Sequence, residues 1–161
     1  MSYQVLARKY RPQRFSEVIG QDHVTRTLKN AIEQQRIAHG YIFSGHRGIG
    51  KTTIARILAM ALNCHGVDGK ADRPQPEPCG ICESCRVISS STRADVDSLS
   101  FEETHSFNYE EIDAATNRGI EEARRIIDKV RVRPAGTDRY RIIVLDEAHQ
   151  ITNAEIGRAH V

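Results

Sequence analysis

The sequence has no apolar run long enough to cross a membrane. Its best candidate, IARILAMAL at residues 54–62, is short and contains Arg56, whereas a spanning helix needs about 18 apolar residues. The amino-terminal stretch MSYQVLARKYRPQRF is basic and has neither an apolar core nor a cleavage site, so we do not expect a secretory signal. These two absences make the cytoplasm the expected location, and stable disulfides are rare there.

The composition is that of a globular domain with an uneven charge distribution. Hydrophobic residues make up 39% and charged residues 27% of the 161 positions, which suits a chain with a buried core. Residues 1–62 carry ten Lys or Arg against three Asp or Glu, whereas residues 63–117 carry four against eleven. A basic first third suits phosphate or another polyanion, and a solvated basic surface is the alternative that charge alone leaves open.

The spacing of apolar residues predicts helices over residues 22–36, 51–62 and 120–130. Two short apolar runs predict strands, HGYIFS at residues 39–44 and IIVL at residues 142–145. The four consecutive apolar residues of the second run indicate a strand covered on both faces. Because strands and helices alternate, we expect a three-layer α/β fold built on a mainly parallel sheet.

Residues 45–52, GHRGIGKT, match the phosphate-loop pattern G-x-x-x-x-G-K-[ST] in full. Glycines let the backbone approach phosphates closely, and successive N–H groups at a helix N-terminus then form an anion site. In such a loop Lys51 reaches the β- and γ-phosphates, and the Thr52 hydroxyl ligates Mg²⁺. The predicted nucleotide-binding residues here are Gly45, His46, Arg47, Gly48, Ile49, Gly50, Lys51, Thr52 and Thr53.

A second acidic motif follows the predicted strand in IIVLDEAH. At the end of a buried strand, Asp146 is expected beside the metal, directly or through water, and Glu147 can polarise the attacking water as a general base. The alternative is an ordinary strand end with two solvated carboxylates. About ninety residues separate the two motifs, which is long for a minimal nucleotide-binding unit, so we expect an insertion between them.

The four cysteines are spaced Cys64-x14-Cys79-x2-Cys82-x2-Cys85 in a segment rich in Pro, Gly and Ser. Four thiolates can close a tetrahedral Zn²⁺ site, which supplies folding energy to a stretch that has no core. Iron–sulfur ligation, a redox C-x-x-C pair and four free buried cysteines are the alternatives, and the polar surroundings favour zinc over all three. His65 is a possible substitute for one of the cysteines.

Five stretches, in this order, closely resemble the N-terminal part of the bacterial DNA polymerase III gamma/tau subunits: LARKYRPQRFSEVIGQ, AHGYIFSGHRGIGKTTIARILAMALNC, PCGICESC, EIDAATNRGIEEAR and YRIIVLDEAHQIT. The resemblance covers nearly all of residues 3–154. It implies an AAA+ P-loop NTPase, the ATPase motor of the replicative clamp loader, which loads the ring-shaped sliding clamp onto primed DNA. ATP, Mg²⁺ and Zn²⁺ are the implied cofactors, with zinc on Cys64, Cys79, Cys82 and Cys85.

The resemblance also implies further sites and partners. The arm motifs KYRP and VIGQ imply an adenine pocket that contains Tyr10, Arg11, Val18 and Ile19. Basic side chains in and just before the predicted helix at residues 120–130 are candidates for facing DNA, with a solvated helix face as the equal alternative: Arg118, Arg124, Arg125 and Lys129. The implied partners are other clamp-loader subunits, the sliding clamp and primed DNA in a hetero-oligomeric polymerase III holoenzyme, and no membrane.

The implied domain organisation places an arm and the first half of the ATPase domain in residues 1–62. A zinc-binding insertion follows in residues 63–93, and the second part of the ATPase domain occupies residues 94–154. Residues 155–161, EIGRAHV, match the conceptual translation of a common sequencing-adapter stretch, so we expect a C-terminally truncated domain with a non-native tail.

The sequence departs from the family pattern in two ways. Residues 97–109, DSLSFEETHSFNY, include about a dozen inserted residues, and we expect a surface loop there. The family's sensor residue, arginine finger, helical lid and oligomerisation domain have no counterpart in these 161 residues, so the fragment alone is expected to be a poor ATPase.

Two other functional classes stay open at this level. DEAH is also a helicase signature, although the cysteine insertion and the KYRP and VIGQ arm count against a helicase. A non-hydrolysing zinc module that binds partners or DNA through a degenerate ATPase fold is the other class. The intact Lys51, Asp146 and Glu147 count against it.

Overall fold

The computed structural model describes residues 11–44, 50–91, 108–113 and 120–146 of the chain. Two compact units make up the chain, Met1–His105 and Ser106–Val161. Most of the predicted loop at residues 97–109 and the whole predicted tail at residues 155–161 lie outside the described residues.

The described part of the first unit is helical. A 3-10 turn, Phe15–Glu17, is followed by α1 (Asp22–Glu33), α2 (Lys51–Asn63) and α3 (Glu83–Ser91). Helix α2 is buried on nearly every side from Ile57 onward. Its apolar residues, together with Phe15, Leu28, Ile32 and Ile88, form the core of this unit.

Helix α1 ends three residues earlier than predicted because the chain turns at Gln35. The φ angle of Gln35 is 57°, a left-handed conformation that cannot continue an α-helix. The N–H of Gln35 donates to the Ile32 carbonyl at 3.1 Å, and the N–H of Arg36 donates to the Ala31 carbonyl at 2.8 Å. This pair of bonds is the Schellman arrangement, which supplies N–H donors to carbonyls that a helix end otherwise leaves without a hydrogen bond.

The strand predicted for residues 39–44 is not formed. These residues have no regular secondary structure, and the Ile42 side chain is 97% exposed. An apolar run becomes a strand only where a neighbouring strand accepts and donates its ladder of hydrogen bonds. No described residue of the first unit supplies such a neighbour.

Helix α3 was not anticipated, because the segment around the cysteines has no clear apolar period. The helix has only nine residues, so the period is too short to read from the sequence. Cys85 and Ile88, three positions apart, are its fully buried residues. That spacing places both on one helix face, and α3 packs this face beside α2.

The second unit is a strand–helix–strand segment. Strand β1 (Tyr109–Asp113), helix α4 (Ile120–Arg131) and strand β2 (Ile142–Asp146) follow one another. The two strands pair in parallel, with Tyr109 opposite Ile142 and Asp113 opposite Asp146. Parallel neighbours need a crossover connection, and α4 lies within it.

Strand β2 is less covered than its sequence predicts. Residues 142–145 are half-buried and Asp146 is exposed, so burial on both faces is not observed. Among the described residues, β1 is the only strand that pairs with β2. Full burial of a parallel strand needs sheet neighbours and a covering layer on each face.

The end of the predicted surface loop belongs to the sheet instead. Asn108 and Tyr109 are both buried. The Asn108 amide donates to the Ala135 carbonyl at 2.9 Å and to the Asp138 carboxylate at 2.8 Å, and its oxygen accepts the Ala135 N–H at 2.7 Å. These contacts tie the turn after α4 to the start of β1, so these two residues are not part of a surface loop.

None of the described helices is long and apolar enough to cross a membrane.

Candidate nucleotide and metal sites

The carboxyl end of the phosphate loop opens helix α2. Gly50 is its N-cap, with φ 83° and ψ 22°, and Lys51 is the first helical residue. A side chain in this left-handed conformation is strained, so glycine suits the position. The first N–H groups of any helix lack acceptors within the helix and carry the positive end of its dipole, which makes this end an anion site. Residues 45–49 lie outside the described residues.

The side chains of Lys51, Thr52 and Thr53 are half-buried at this helix end. Their position in the first turn is the one that the phosphate-loop pattern requires, with a cation and two hydroxyls beside the anion-binding backbone. Nothing in the described residues tests which of them contacts a nucleotide, so their binding roles stay predictions.

Two acidic residues of the second unit lie at the carboxyl edge of the parallel strand pair. Asp146 is the last residue of β2 and pairs in register with Asp113, the last residue of β1. In open α/β sheets, ligands bind at this edge. Sequence analysis did not single out Asp113, although its place at the end of EEID is the signal that could have found it. Glu147 lies outside the described residues, so its role stays a prediction.

The predicted adenine-pocket residues lie on the arm that precedes α1. Arg11 and Val18 are half-buried, Ile19 is 95% exposed, and Tyr10 lies outside the described residues. The arm is held by the burial of Phe15 and by a hydrogen bond from the Gln13 N–H to the Glu17 carboxylate at 2.8 Å. Their contact with a nucleotide stays a prediction.

The four cysteines come together in the first unit. The Sγ atoms of Cys64, Cys79, Cys82 and Cys85 all lie within 4.8 Å of one another, and none forms a disulfide. In a tetrahedral zinc site, Zn–S bonds of about 2.3 Å place the sulfurs about 3.8 Å apart. The cluster is therefore compatible with a single Zn²⁺ ion. The group consists of the four thiols alone and does not include the His65 ring.

Backbone N–H groups surround the sulfurs. Cys64, Cys79 and Cys82 all accept such bonds, and N–H donors of this kind favour the thiolate form that a metal needs. Donors to Cys64 include Cys79 at 3.3 Å and Gly66 at 3.4 Å, and donors to Cys79 include Cys82 at 3.2 Å and Ile81 at 3.5 Å. The His65 N–H donates to Cys82 at 3.5 Å.

The thiols of the cluster differ in acidity. The hydrogen bond from the Cys85 thiol, aided by the N–H groups of Cys79 and Gly66, lowers the pKa of Cys64 to about 4 although burial opposes this. The bond to Cys64, with burial, raises the pKa of Cys85, and burial raises the pKa of Cys82. The thiolate form is thus favoured at Cys64 beside the Cys82 and Cys85 thiols, whose protons a divalent cation displaces when it binds.

Glu77 is a contact residue that sequence analysis missed. One carboxylate oxygen accepts the N–H of Phe15 and the other accepts the N–H of Ser16, both at 3.1 Å. The Lys29 ammonium lies 3.0 Å from the same carboxylate. Phe15 and Ser16 are more than sixty residues away from Glu77 along the chain, so no local pattern indicates the contact.

The basic residues of α4 are partly paired with carboxylates. Lys129 Nζ lies 2.7 Å from Glu110 Oε1, and Arg125 Nη1 lies 2.9 Å from Glu122 Oε1. Arg124 is exposed. Arg118 lies outside the described residues. The predicted DNA-facing role of these residues is untested. The ion pair with Glu110 weakens the attraction between the Lys129 ammonium and a phosphate.

Together, the parallel strand pair and the helix that opens with Gly-Lys-Thr define a mixed α/β protein of a P-loop-like class. A family model described as DNA polymerase III, delta subunit, matches residues 20–155. This chain therefore belongs to that family.

Individual relatives agree with this assignment. DNA polymerase III subunit tau of Bacillus subtilis strain 168 is 42% identical over 152 residues, 94% of this chain and 23% of that protein. Subunit tau of Escherichia coli K12 is 42% identical over 153 residues, 94% of this chain and 20% of that protein. Subunit tau/gamma of Haemophilus influenzae Rd is 40% identical over 153 residues, 94% of this chain and 19% of that protein. The resemblance to gamma/tau subunits is confirmed, and the chain spans about a fifth of the length of these relatives.

Proposed function

We propose that this chain forms the ATP-binding part of an AAA+ clamp-loader ATPase within a bacterial DNA polymerase III holoenzyme. In this proposal the whole protein uses ATP binding and hydrolysis to load the sliding clamp onto primed DNA. The observation that carries it is the start of α2 at Lys51, directly after left-handed Gly50, in a chain whose relatives are tau/gamma subunits. Such a motor works in the cytoplasm, beside other clamp-loader subunits.

The nucleotide chemistry assigns a role to each motif residue. Lys51 balances charge on the β- and γ-phosphates, and the first N–H groups of α2 bind phosphate oxygens. Thr52 and Asp146 offer a hydroxyl and a carboxylate, the hard oxygen ligands that Mg²⁺ prefers. Mg²⁺ supplies charge neutralisation at the phosphates when bound. Glu147 accepts a proton from the attacking water.

Zinc is assigned a structural role on the four cysteines. The mutual distances of the sulfurs and their N–H donors support this fit. Cys64 follows α2, whose 13 residues extend about 20 Å at 1.5 Å per residue. The metal is therefore far from Lys51 along the helix and takes no part in hydrolysis. It stabilises the insertion proposed at residues 63–93, between the two parts of the ATPase domain at residues 1–62 and 94–154.

ATP turnover by the full-length protein tests this proposal. The wild type should bind ATP and release phosphate faster when the sliding clamp and primed DNA are present. Glu147→Gln should keep ATP binding and lose turnover, whereas Lys51→Ala should lose both because the phosphate charge is no longer balanced. Lys70→Ala, which changes an exposed lysine of the cysteine segment, is the matched control and should resemble the wild type.

Other outcomes would redirect the assignment. ATP binding with no turnover under any condition supports the non-hydrolysing interaction module. Unwinding of duplex DNA without clamp loading supports the helicase. Failure of the wild type to bind ATP overturns the proposal itself.

A further inference from the structure

Glu77 connects the cysteine segment to the arm in front of α1. Its two carboxylate oxygens accept the N–H groups of Phe15 and Ser16, one each, at the start of the 3-10 turn. The same carboxylate lies 3.0 Å from the Lys29 ammonium on α1. The Glu77 side chain thus holds the 3-10 turn and α1 together, although Glu77 itself belongs to the cysteine segment.

Additional contacts link the same two segments. The Arg14 guanidinium donates to the Cys79 carbonyl at 3.4 Å, and the Ser89 hydroxyl of α3 donates to the Gln13 amide oxygen at 2.9 Å. Arg11 and Pro12 line a small cleft together with Met60 of α2 and Ile88 of α3. The arm therefore rests on both the phosphate-loop helix and the cysteine segment.

Glu77 lies close in the chain to the cysteine cluster, so its contact with the turn is coupled to that cluster. Glu77 is two residues before Cys79, and Pro78 between them is fully buried. A metal ion that fixes the cysteine cluster would therefore also fix the position of the Glu77 carboxylate. The clamped turn, Phe15–Glu17, lies between Arg11 and Val18, which the family resemblance implies for the adenine pocket.

We propose that Glu77 is a positioning residue for nucleotide binding: from the metal-bound cysteine segment it clamps the Phe15–Glu17 turn, so that metal occupancy sets the geometry of the adenine-binding arm. This inference rests on the proposed function for its nucleotide. The clamp itself rests only on contacts within the first unit. Its effect is selective, because the arm contacts the base and the phosphate loop contacts the phosphates.

Glu77→Gln is the decisive variant, studied in the full-length protein loaded with zinc. A carboxylate offers an acceptor to each of the two N–H groups, whereas an amide offers one acceptor and turns a donor toward the other N–H. Asp72→Asn is the matched control, because it removes one negative charge from an exposed position of the same segment. Glu77→Asp keeps both acceptors and should restore part of the wild-type behaviour.

Three measurements separate the possible roles. Hydrogen–deuterium exchange of the Phe15 and Ser16 amides reports the clamp, and zinc content reports the integrity of the cluster. Affinities for ATP and for inorganic tripolyphosphate, each measured by calorimetry, separate the base-binding arm from the phosphate loop.

The proposal predicts a specific combination of results for Glu77→Gln. Loss of charge-assisted hydrogen bonds should speed amide exchange at the turn and weaken ATP binding, each by about tenfold. Zinc content and tripolyphosphate affinity should be unchanged, and Asp72→Asn should match the wild type. In wild-type protein, removal of zinc with a chelator should weaken ATP binding more than tripolyphosphate binding.

Other results would contradict the proposed role of Glu77. Faster exchange at the turn with unchanged ATP affinity shows a structural clamp that does not position the nucleotide, and it overturns the proposal. Loss of zinc in Glu77→Gln, or equal weakening of ATP and tripolyphosphate, overturns it as well. If the wild type binds neither ligand, the proposed function fails, and the exchange data still decide whether the clamp exists.

Discussion

The Sγ atom of Cys64 accepts a hydrogen bond from the backbone N–H of Cys79 at 3.3 Å. Cys64 ends the phosphate-loop helix and Cys79 begins the group of three clustered cysteines, so this bond joins the two parts of the metal site across the segment between them. The bond also orients the Cys64 sulfur, as outer-shell donors do in metal sites.

Cys64→Ser should abolish tight zinc binding. Loss of an outer-shell partner costs about 10–100-fold in metal affinity, and loss of a ligand should exceed that. Metal analysis of the purified full-length protein should give less than one zinc per chain, and exchange of the amides in residues 64–91 should increase. Glu83→Gln, an exposed position between two ligands, serves as the control and should retain zinc. Iron with visible absorbance in the wild type would contradict the zinc assignment.

Gly50→Ala should weaken phosphate binding and destabilise the start of α2. A non-glycine residue in the left-handed region costs about 1–2 kcal/mol. Among the described residues no neighbouring atom lies within 4 Å of the added Cβ, so backbone strain is the cost that we expect. Urea unfolding should report this loss, and calorimetry should report weaker tripolyphosphate binding. Gly69→Ala, with φ 71° and equally open surroundings in the cysteine segment, should show similar strain with unchanged tripolyphosphate affinity. Equal affinity losses in both variants would contradict a role for Gly50 at the site.

Ile57→Ala and Ile19→Ala should act on different properties of the protein. Ile57 is 1% exposed in the middle of α2, and its truncation should cost about 2–5 kcal/mol of stability through lost contacts and a cavity. Ile19 is 95% exposed, so its truncation should change stability by at most about 0.5 kcal/mol. If Ile19 contacts adenine as the family resemblance implies, ATP affinity should nevertheless fall in that variant. Thermal unfolding and ATP titration of both variants check this, and unchanged ATP affinity in Ile19→Ala would remove Ile19 from the pocket.

Arg124→Ala should weaken DNA binding more than Lys129→Ala. Arg124 is exposed, whereas the Lys129 ammonium lies 2.7 Å from Glu110, and a paired cation releases fewer counterions from DNA. If Arg124 contacts a phosphate, its removal should reduce the salt slope of binding by about 0.9. Titration of primed DNA against the full-length protein at several salt concentrations measures this. Equal slopes for Arg124→Ala and the wild type would leave α4 as a solvated helix face.

Local patterns predicted most of the helices and the second strand, because apolar spacing within one segment decides which face is buried. The exceptions have local and non-local causes. The end of α1 depends on Gln35, which adopts a left-handed conformation without being glycine. The run at residues 39–44 has the composition of a strand and no described neighbour to pair with. Helix α3 is too short to show a period.

The candidate chemistry of the sites was predicted from the sequence itself. The phosphate-loop pattern and the cysteine spacing are short-range features, since three of the four cysteines lie within seven consecutive residues and the loop runs directly into its helix. Such short patterns indicate the same chemistry whatever fold surrounds the segment. Only the tertiary structure decided which side chains connect the segments. Glu77 reaches Phe15 across 62 residues and Lys129 reaches Glu110 across 19, and a carboxylate gives no sign in the sequence of which distant donor the fold will bring to it.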